Sequence, residues 1–193
     1  DNLQPLRNSV EPTGKTELKS FLGTCQYAAR HVRNYSALAH NLNQLLRKGT
    51  LWDFNEQRRK EYHKLKEAVL KGYPLVTPDY SKPFYLYSDA SDYGMGAVLC
   101  QLKVPCEDDK LAEMDEDNKL IIAFYSSSFT ESMQRRPIYY REALAVIWAL
   151  EKSKQYTERG TEQVVCVTDH APLRWLKNSN RGVVTGWLIE NVA

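Results

Sequence analysis

Three prolines fall within ten residues, Pro74, Pro78 and Pro83 in "YPLVTPDYSKPF". Proline has no N–H to donate, and its ring clashes with the preceding turn of a helix. No long helix and no central strand can run through such a stretch. The chain on either side must therefore build its own local structure. The hydrophobic period also changes there, from spacings of three and four upstream to alternation downstream. Those periods belong to helices and strands respectively.

Upstream, Thr13 precedes Leu18, Phe21, Leu22, Cys25, Ala29 and Val32, one apolar stripe on a helix. Ser36 is placed to cap a second helix with Leu38, Leu42, Leu45 and Leu46 inward, and Gly49 stops it. Trp52 and Phe54 look like a hydrophobic staple into a third helix. Asn55 would cap that helix, Tyr62, Leu65 and Val69 would face inward, and Gly72 would end it. The expected product is a small bundle of three short helices over residues 13–72.

Downstream, residues 84–88 put Phe84, Leu86 and Ser88 on one face and Tyr85 and Tyr87 on the other. Asp89 falls on the tyrosine side at the strand's end. Gly94 and Gly96 permit a tight turn into "MGAVLCQL", "KLIIAFYSSS" reads as a third strand, and "QVVCVTD" as a fourth. "YYREALAVIWALEKSKQY" is the clearest helix, with Leu144 and Ile147 defining its apolar face and Ala143 and Val146 beside it. "APLRWLKN" reads as a short helix, and residues 179–193 show no clear pattern. Strand–strand–strand–helix–strand–helix is the order of a mixed sheet with helices on its faces. The expected strands are 84–89, 95–102, 119–127 and 163–168, with the first and last adjacent and parallel.

The net charge of +2 conceals an asymmetry. Residues 1–80 hold 13 Lys and Arg against 8 Asp and Glu, whereas residues 81–193 hold 13 against 16. The acidity is local: residues 103–118, "KVPCEDDKLAEMDEDN", carry seven acids and read as a long solvent loop. A basic first half is compatible with a phosphate-bearing partner, and with ordinary solvated helix faces. Its Arg58, Arg59 and Lys60 are candidates to touch a nucleic-acid backbone, although three consecutive residues cannot share one helix face. No run of about 18 apolar residues occurs, so no transmembrane helix is expected. The four cysteines, Cys25, Cys100, Cys106 and Cys166, form no CxxC pair and fit a reducing compartment. The chain begins with Asp1, which points to a processed product or a piece of a longer protein.

Charges are depleted in core strands, so Asp89 is the residue that most needs an explanation. If the first and fourth strands are parallel neighbours, Asp89 and Asp169 lie at one end of the sheet, where open α/β sheets place their sites. Glu142, in the first turn of "REALAVIWAL", borders the side of its helix that faces the sheet. Singly, each acid has an ordinary role in a turn, a cap or a helix dipole, and Asp92 in "DASDYG" suits a turn. Together they would repel one another unless they shared a cation. Oxygen-only ligands suit Mg²⁺ or Mn²⁺ rather than zinc.

"SDASDYGMGAVLCQ", "REALAVIWAL" and "TDHAPLRWL" resemble the ribonuclease H domain of reverse transcriptases from gypsy-type LTR retrotransposons. "ELKSFLGTCQYAARHV", "WDFNEQRRKEYHKLKEAVL" and the proline segment are similar to the thumb of those enzymes and its connector, so the likeness runs from Leu3 to Trp187. The resemblance implies a helical thumb over residues 1–72, a connector over 73–83, and a ribonuclease H-like mixed sheet with flanking helices over 84–193. It implies that Asp89, Glu142 and Asp169 are catalytic and hold two Mg²⁺ ions, replaceable by Mn²⁺, about 3.5–4 Å apart across the scissile phosphate. The substrate would be the RNA strand of an RNA·DNA hybrid, recognised by its 2′-hydroxyls. The partners would be that hybrid and the rest of the polyprotein, with no membrane. The location would be the cytoplasm, within virus-like particles.

The sequence also departs from the pattern. A fourth carboxylate, in a motif further along, is not reached before Ala193. "RGVVTGW" stands where relatives have a basic tract, and Tyr140 replaces an acid two residues before Glu142. The loop 103–118 is longer and more acidic than usual, and no paired-aspartate polymerase motif is present. A competing reading is therefore a domesticated or inactive retroelement derivative that binds or scaffolds. Another nuclease or an integrase of the same fold is disfavoured by the thumb-like helices.

Overall fold

The computed structural model describes residues 3–105, 111, 115–160 and 164–168, and the backbone alone of 187–191. The chain divides into two compact units, Asp1–Tyr73 and Pro74–Ala193.

The first unit contains helices α1 (Gln4–Arg7), α2 (Lys15–Tyr27), α3 (Tyr35–Leu45) and α4 (Glu56–Lys71). Their apolar stripes meet in one core of Leu18, Phe21, Leu22, Cys25, Ala39, Leu42, Leu45, Tyr62, Leu65 and Val69. Leu6 of α1 is buried with them, while Leu38 and Leu46 pack at the margin. Tyr62 is fully buried with its ring 4.2 Å from Phe21. Its hydroxyl donates to Val10 O at 2.8 Å and lies 2.9 Å from Ser9 Oγ, so its polar tip is satisfied. Asn55 caps α4 by accepting from Arg58 N–H, and Gly72, at φ +45°, closes it by donating to Ala68 O.

Three helix details differ from expectation. The α2 stripe does not continue as one helix: α2 stops at Tyr27, and a 3-10 turn at Ala29–His31 redirects the chain. That turn lets His31 O accept from Tyr73 N–H at 2.8 Å, while Val32 still reaches the core. Asn34, not Ser36, occupies the N-cap position of α3, at φ 56° and ψ 34°, a left-handed conformation that asparagine tolerates better than most residues. Trp52 and Phe54 stack on each other at 5.5 Å, and Phe54 meets Tyr62 edge-on, because position N4 is Arg59 and offers no apolar partner for a staple.

The second unit is a five-stranded mixed sheet in the order β3-β2-β1-β4-β5. The strands are β1 (Phe84–Ala90), β2 (Gly94–Leu102), β3 (Lys119–Ser128), β4 (Val164–Thr168) and β5 (Trp187–Asn191). The neighbours β1–β2 and β2–β3 are antiparallel, whereas β1–β4 and β4–β5 are parallel. This is the ribonuclease H-like arrangement expected, with β1 and β4 adjacent and parallel. The backbone adds β5 in a stretch whose sequence shows no clear pattern.

Two helices follow β3: α5 (Glu131–Gln134), capped by Thr130, and α6 (Ile138–Thr157). The long helix covers the Phe84, Leu86 face of the sheet through Val146, Ala149 and Leu150. Its buried stripe is Arg141, Glu142, Ala145, Val146, Ala149, Leu150 and Ser153. Leu144 and Ile147 do not define the inner face; Ile147 is half exposed. Small residues let the helix lie close to the sheet, so its inner stripe is less hydrophobic than its flank.

The opposite face gathers Tyr85, Tyr87, Phe124, Val165 and Val167. Leu111, from the acidic stretch, is fully buried against them, and its carbonyl accepts from Tyr87 Oη at 2.9 Å. The stretch 103–118 is therefore not simply a solvent loop. Its described ends are also tied together, with Lys103 N–H donating to Asn118 O and Val104 N–H to Asn118 Oδ1.

The proline segment belongs to the second unit. Val76 N–H donates to Ile121 O of β3 at 2.8 Å. The buried Gln101 of β2 accepts from Asp79 N–H at 2.9 Å, and donates to Asp79 O at 2.6 Å and Lys82 O at 3.2 Å. Among the described residues, no helix is long and apolar enough to cross a membrane.

Candidate functional site

Asp89 is the penultimate residue of β1, solvent-exposed and paired in register with Gly96. By strand alternation it belongs to the face of Tyr85 and Tyr87, whereas α6 covers the other face. Ions shared with α6 would therefore lie at the end of β1 rather than on either face. Glu142 is 4% exposed, on the stripe of α6 that faces the sheet. Because α6 begins at Ile138, after Pro137, Glu142 stands in its second turn, not its first. A carboxylate held so far from water is costly unless charge or donors compensate it. Asp169 and the expected helix "APLRWLKN" lie outside the described residues. Strand β4, which ends one residue before Asp169, pairs in parallel with β1 through Tyr87↔Val167.

The turn between β1 and β2 begins at Ser91, two residues after Asp89. Ser91 organises it: its N–H and Oγ both donate to Gly94 O, and its Oγ accepts from Gly94 N–H. Gly94 is required by space, since a Cβ there would stand 2.5 Å from Ser127 O. The turn is held from two sides. Phe129 N–H donates to Tyr93 O at 2.8 Å, and Arg141 of α6 donates through Nη1 to Ser91 O at 2.9 Å and Asp92 Oδ1 at 3.0 Å.

The Arg141 side chain is 9% exposed, that of its partner Asp92 78%. The structure thus ties the turn after Asp89 to the helical turn that carries Glu142. Sequence reasoning singled out neither end of this tie as functional, and left Asp92 as a turn residue. The available signal was a cation at position 141 heading the small-residue stripe Ala145, Ala149 and Ser153.

Asp89 and Glu142 offer oxygen ligands only, the donor type that suits a hard divalent cation. Among the described residues no three His, Cys, Asp or Glu side chains converge, and the third expected acid is outside them. Thiol chemistry has little support. Cys25, Cys100 and Cys166 are buried, and burial pushes their thiols up to about 12. Cys106 lies outside the described residues.

The RNase H-like domain found in reverse transcriptase matches residues 79–190. The chain belongs to that family. Among curated relatives, the transposon Tf2-3 and Tf2-4 polyproteins of Schizosaccharomyces pombe are each 28% identical over 173 residues, 90% of this chain. The chain spans only 12% of the length of either relative. The likeness to gypsy-type retrotransposon reverse transcriptases therefore holds for most of the chain. Among solved structures, the foamy viral protease-reverse transcriptase dRH in complex with ds DNA aligns with TM-score 0.73 at 14% identity, covering 100% of this chain and 35% of that one. The foamy viral protease-reverse transcriptase in complex with RNA/DNA hybrid aligns with TM-score 0.71 at 14% identity, covering 100% and 27%. At that identity the likeness speaks for the fold alone. Membership in the family supports a nuclease-type role.

Proposed function

We propose that the chain hydrolyses the RNA strand of RNA·DNA hybrids endonucleolytically, by two-metal catalysis, as part of a retrotransposon reverse transcriptase. The observation that carries the reading is the corner where Arg141 ties the turn of α6 that holds the buried Glu142 to the turn after β1, the strand of Asp89. Divalent ions bound there would make a water nucleophilic and stabilise the leaving 3′ oxygen. Asp89, Glu142 and Asp169 would hold them, Mg²⁺ by preference with Mn²⁺ as substitute. Asp89, exposed at the strand end, presents its oxygens toward the substrate side, while Glu142 works from within the fold. Gly94 lets β2 and β3 close behind the turn, which keeps the strand end in place.

The helical unit is assigned to the thumb of the same enzyme. Of its three consecutive cations, Arg58 pairs with Asp53 at 3.4 Å and Arg59 with Glu11 at 2.9 Å, whereas Lys60 is exposed. Residues 1–72, 73–83 and 84–193 then serve as thumb, connector and nuclease. The work takes place in the cytoplasm, within virus-like particles, beside the rest of the polyprotein.

The test is a labelled RNA·DNA hybrid incubated with Mg²⁺, Mn²⁺ or chelator. It uses this chain, a longer chain carrying more of the polyprotein, and Asp89→Asn. Metal-dependent cleavage lost in Asp89→Asn supports the proposal. Cleavage that survives Asp89→Asn would assign the activity to another site. No cleavage by either chain in either metal would favour the binding or scaffolding derivative.

A further inference from the structure

We propose that Arg141 is a positioning residue: its buried guanidinium locks the α6 turn carrying Glu142 to the β1–β2 turn after Asp89, and thereby sets how tightly these acids take up a divalent cation. The inference rests on the two-metal reading above.

Folding alone does not call for a cation at this position. Arg141 is 8% exposed and heads a stripe of small and apolar residues, where a leucine would pack without a desolvation cost. Its polar atoms are poorly rewarded for their burial. Among the described residues a single nitrogen, Nη1, makes the two bonds to Ser91 and Asp92, and Nε has no hydrogen-bond partner. Helix α6 is already anchored further along by Val146, Ala149 and Leu150 against β1, β2 and β4.

The guanidinium adds two things that packing cannot. It fixes direction, because Nη1 donates both to the Ser91 carbonyl and to the Asp92 carboxylate. It also brings a positive charge into the corner where, on the two-metal reading, Glu142 and Asp89 would come together and repel each other. The two contacts differ in weight. Asp92 is mostly in water, so its ion pair is weak, while the bond to Ser91 O is the sheltered one. Phe129 holds the far side of the turn through Tyr93, so Arg141 closes a frame whose other members are backbone groups and the side chains of Ser91 and Asp92.

The experiment titrates Mg²⁺ into the unsubstituted chain and into Arg141→Gln, Arg141→Lys and Asp92→Asn. Backbone amide NMR shifts of Asp89, Gly94 and Glu142 are followed, alongside hybrid cleavage as a function of ion concentration. Arg141→Gln should raise the half-saturating Mg²⁺ about ten- to a hundred-fold, the range typical for losing a group that orients metal ligands. The cleavage rate at saturating ion should fall much less. Arg141→Lys should recover part of the loss, and Asp92→Asn should cost less than either. Half-saturation unchanged in Arg141→Gln would overturn the proposal. If Arg141→Gln does not fold, Arg141→Lys and Asp92→Asn decide, and half-saturation unchanged in both would overturn it equally. No Mg²⁺ response in the unsubstituted chain would instead sink the two-metal reading, and the role of Arg141 with it.

Discussion

Tyr62 and Arg141 are both buried, one in the helical unit and one in the sheet unit, and each carries polar atoms inward. Tyr62 places its hydroxyl between Val10 O and Ser9 Oγ while its ring meets Phe21. An aromatic body with a satisfied tip is what a stable core favours. Arg141 buries a charge at the head of an otherwise small and apolar stripe, beside a buried glutamate, and bonds the carbonyl of Ser91, two residues after Asp89. In the helical unit, local preference, packing and hydrogen bonding agree. At the corner of the sheet unit they conflict. Such conflicts concentrate where a protein has something to bind.

The sharpest way to break this comparison is Asp89→Asn. It should abolish hybrid cleavage while leaving the unfolding midpoint unchanged or slightly raised, since repulsion among the acids is relieved. A clear loss of stability would make the corner structural and erase the contrast. Tyr62→Ala should do the opposite and destabilise the helical unit by about 3–5 kcal/mol in denaturant unfolding, with Tyr62→Phe costing only about 1 kcal/mol. Gly94→Ala forces a methyl against Ser127 O and should cost about 1–3 kcal/mol in the sheet unit. A smaller loss would show that β3 can retreat and that the turn is less rigid than its bonds imply. The smallest effect separates the units by charge. Removing residues 1–73 should flatten the dependence of hybrid binding on salt, read as the slope of log affinity against log salt concentration. An unchanged slope would return Lys60 and its neighbours to ordinary solvated surface.

Much of the architecture is legible in the sequence because period and punctuation agree. The stripes of α2 to α4, the cap at Asn55, the stop at Gly72 and the alternation of β1 all follow from local chemistry. So does the parallel pairing of β1 with β4, once Asp89 and Asp169 are taken as partners. The inner face of α6 was misread for a physical reason. Its buried side mixes the small Ala145, Ala149 and Ser153 with only two large apolar residues, Val146 and Leu150, while Ile147 lies on the flank. Leu111 was hidden by the acids around it, because composition averages over a residue that packs alone. Asn34 displaced Ser36 as the N-cap because both residue types can cap and only one tolerates the left-handed turn required there. Arg141 was invisible for a different reason. A cation near a helix start reads as surface until the tertiary fold closes over it.

Gln101 leaves a mechanical consequence. Its one side chain grips the proline segment at three backbone atoms, and Val76 is stitched separately to β3. Tension arriving along the chain from Tyr73 thus meets the edge strand β3 and its neighbour β2 before it reaches β1, the central strand. The amide of Gln101 acts as a strain relief, like the clamp on a cable. A tug on the helices meets these four hydrogen bonds before it meets the first residue of β1.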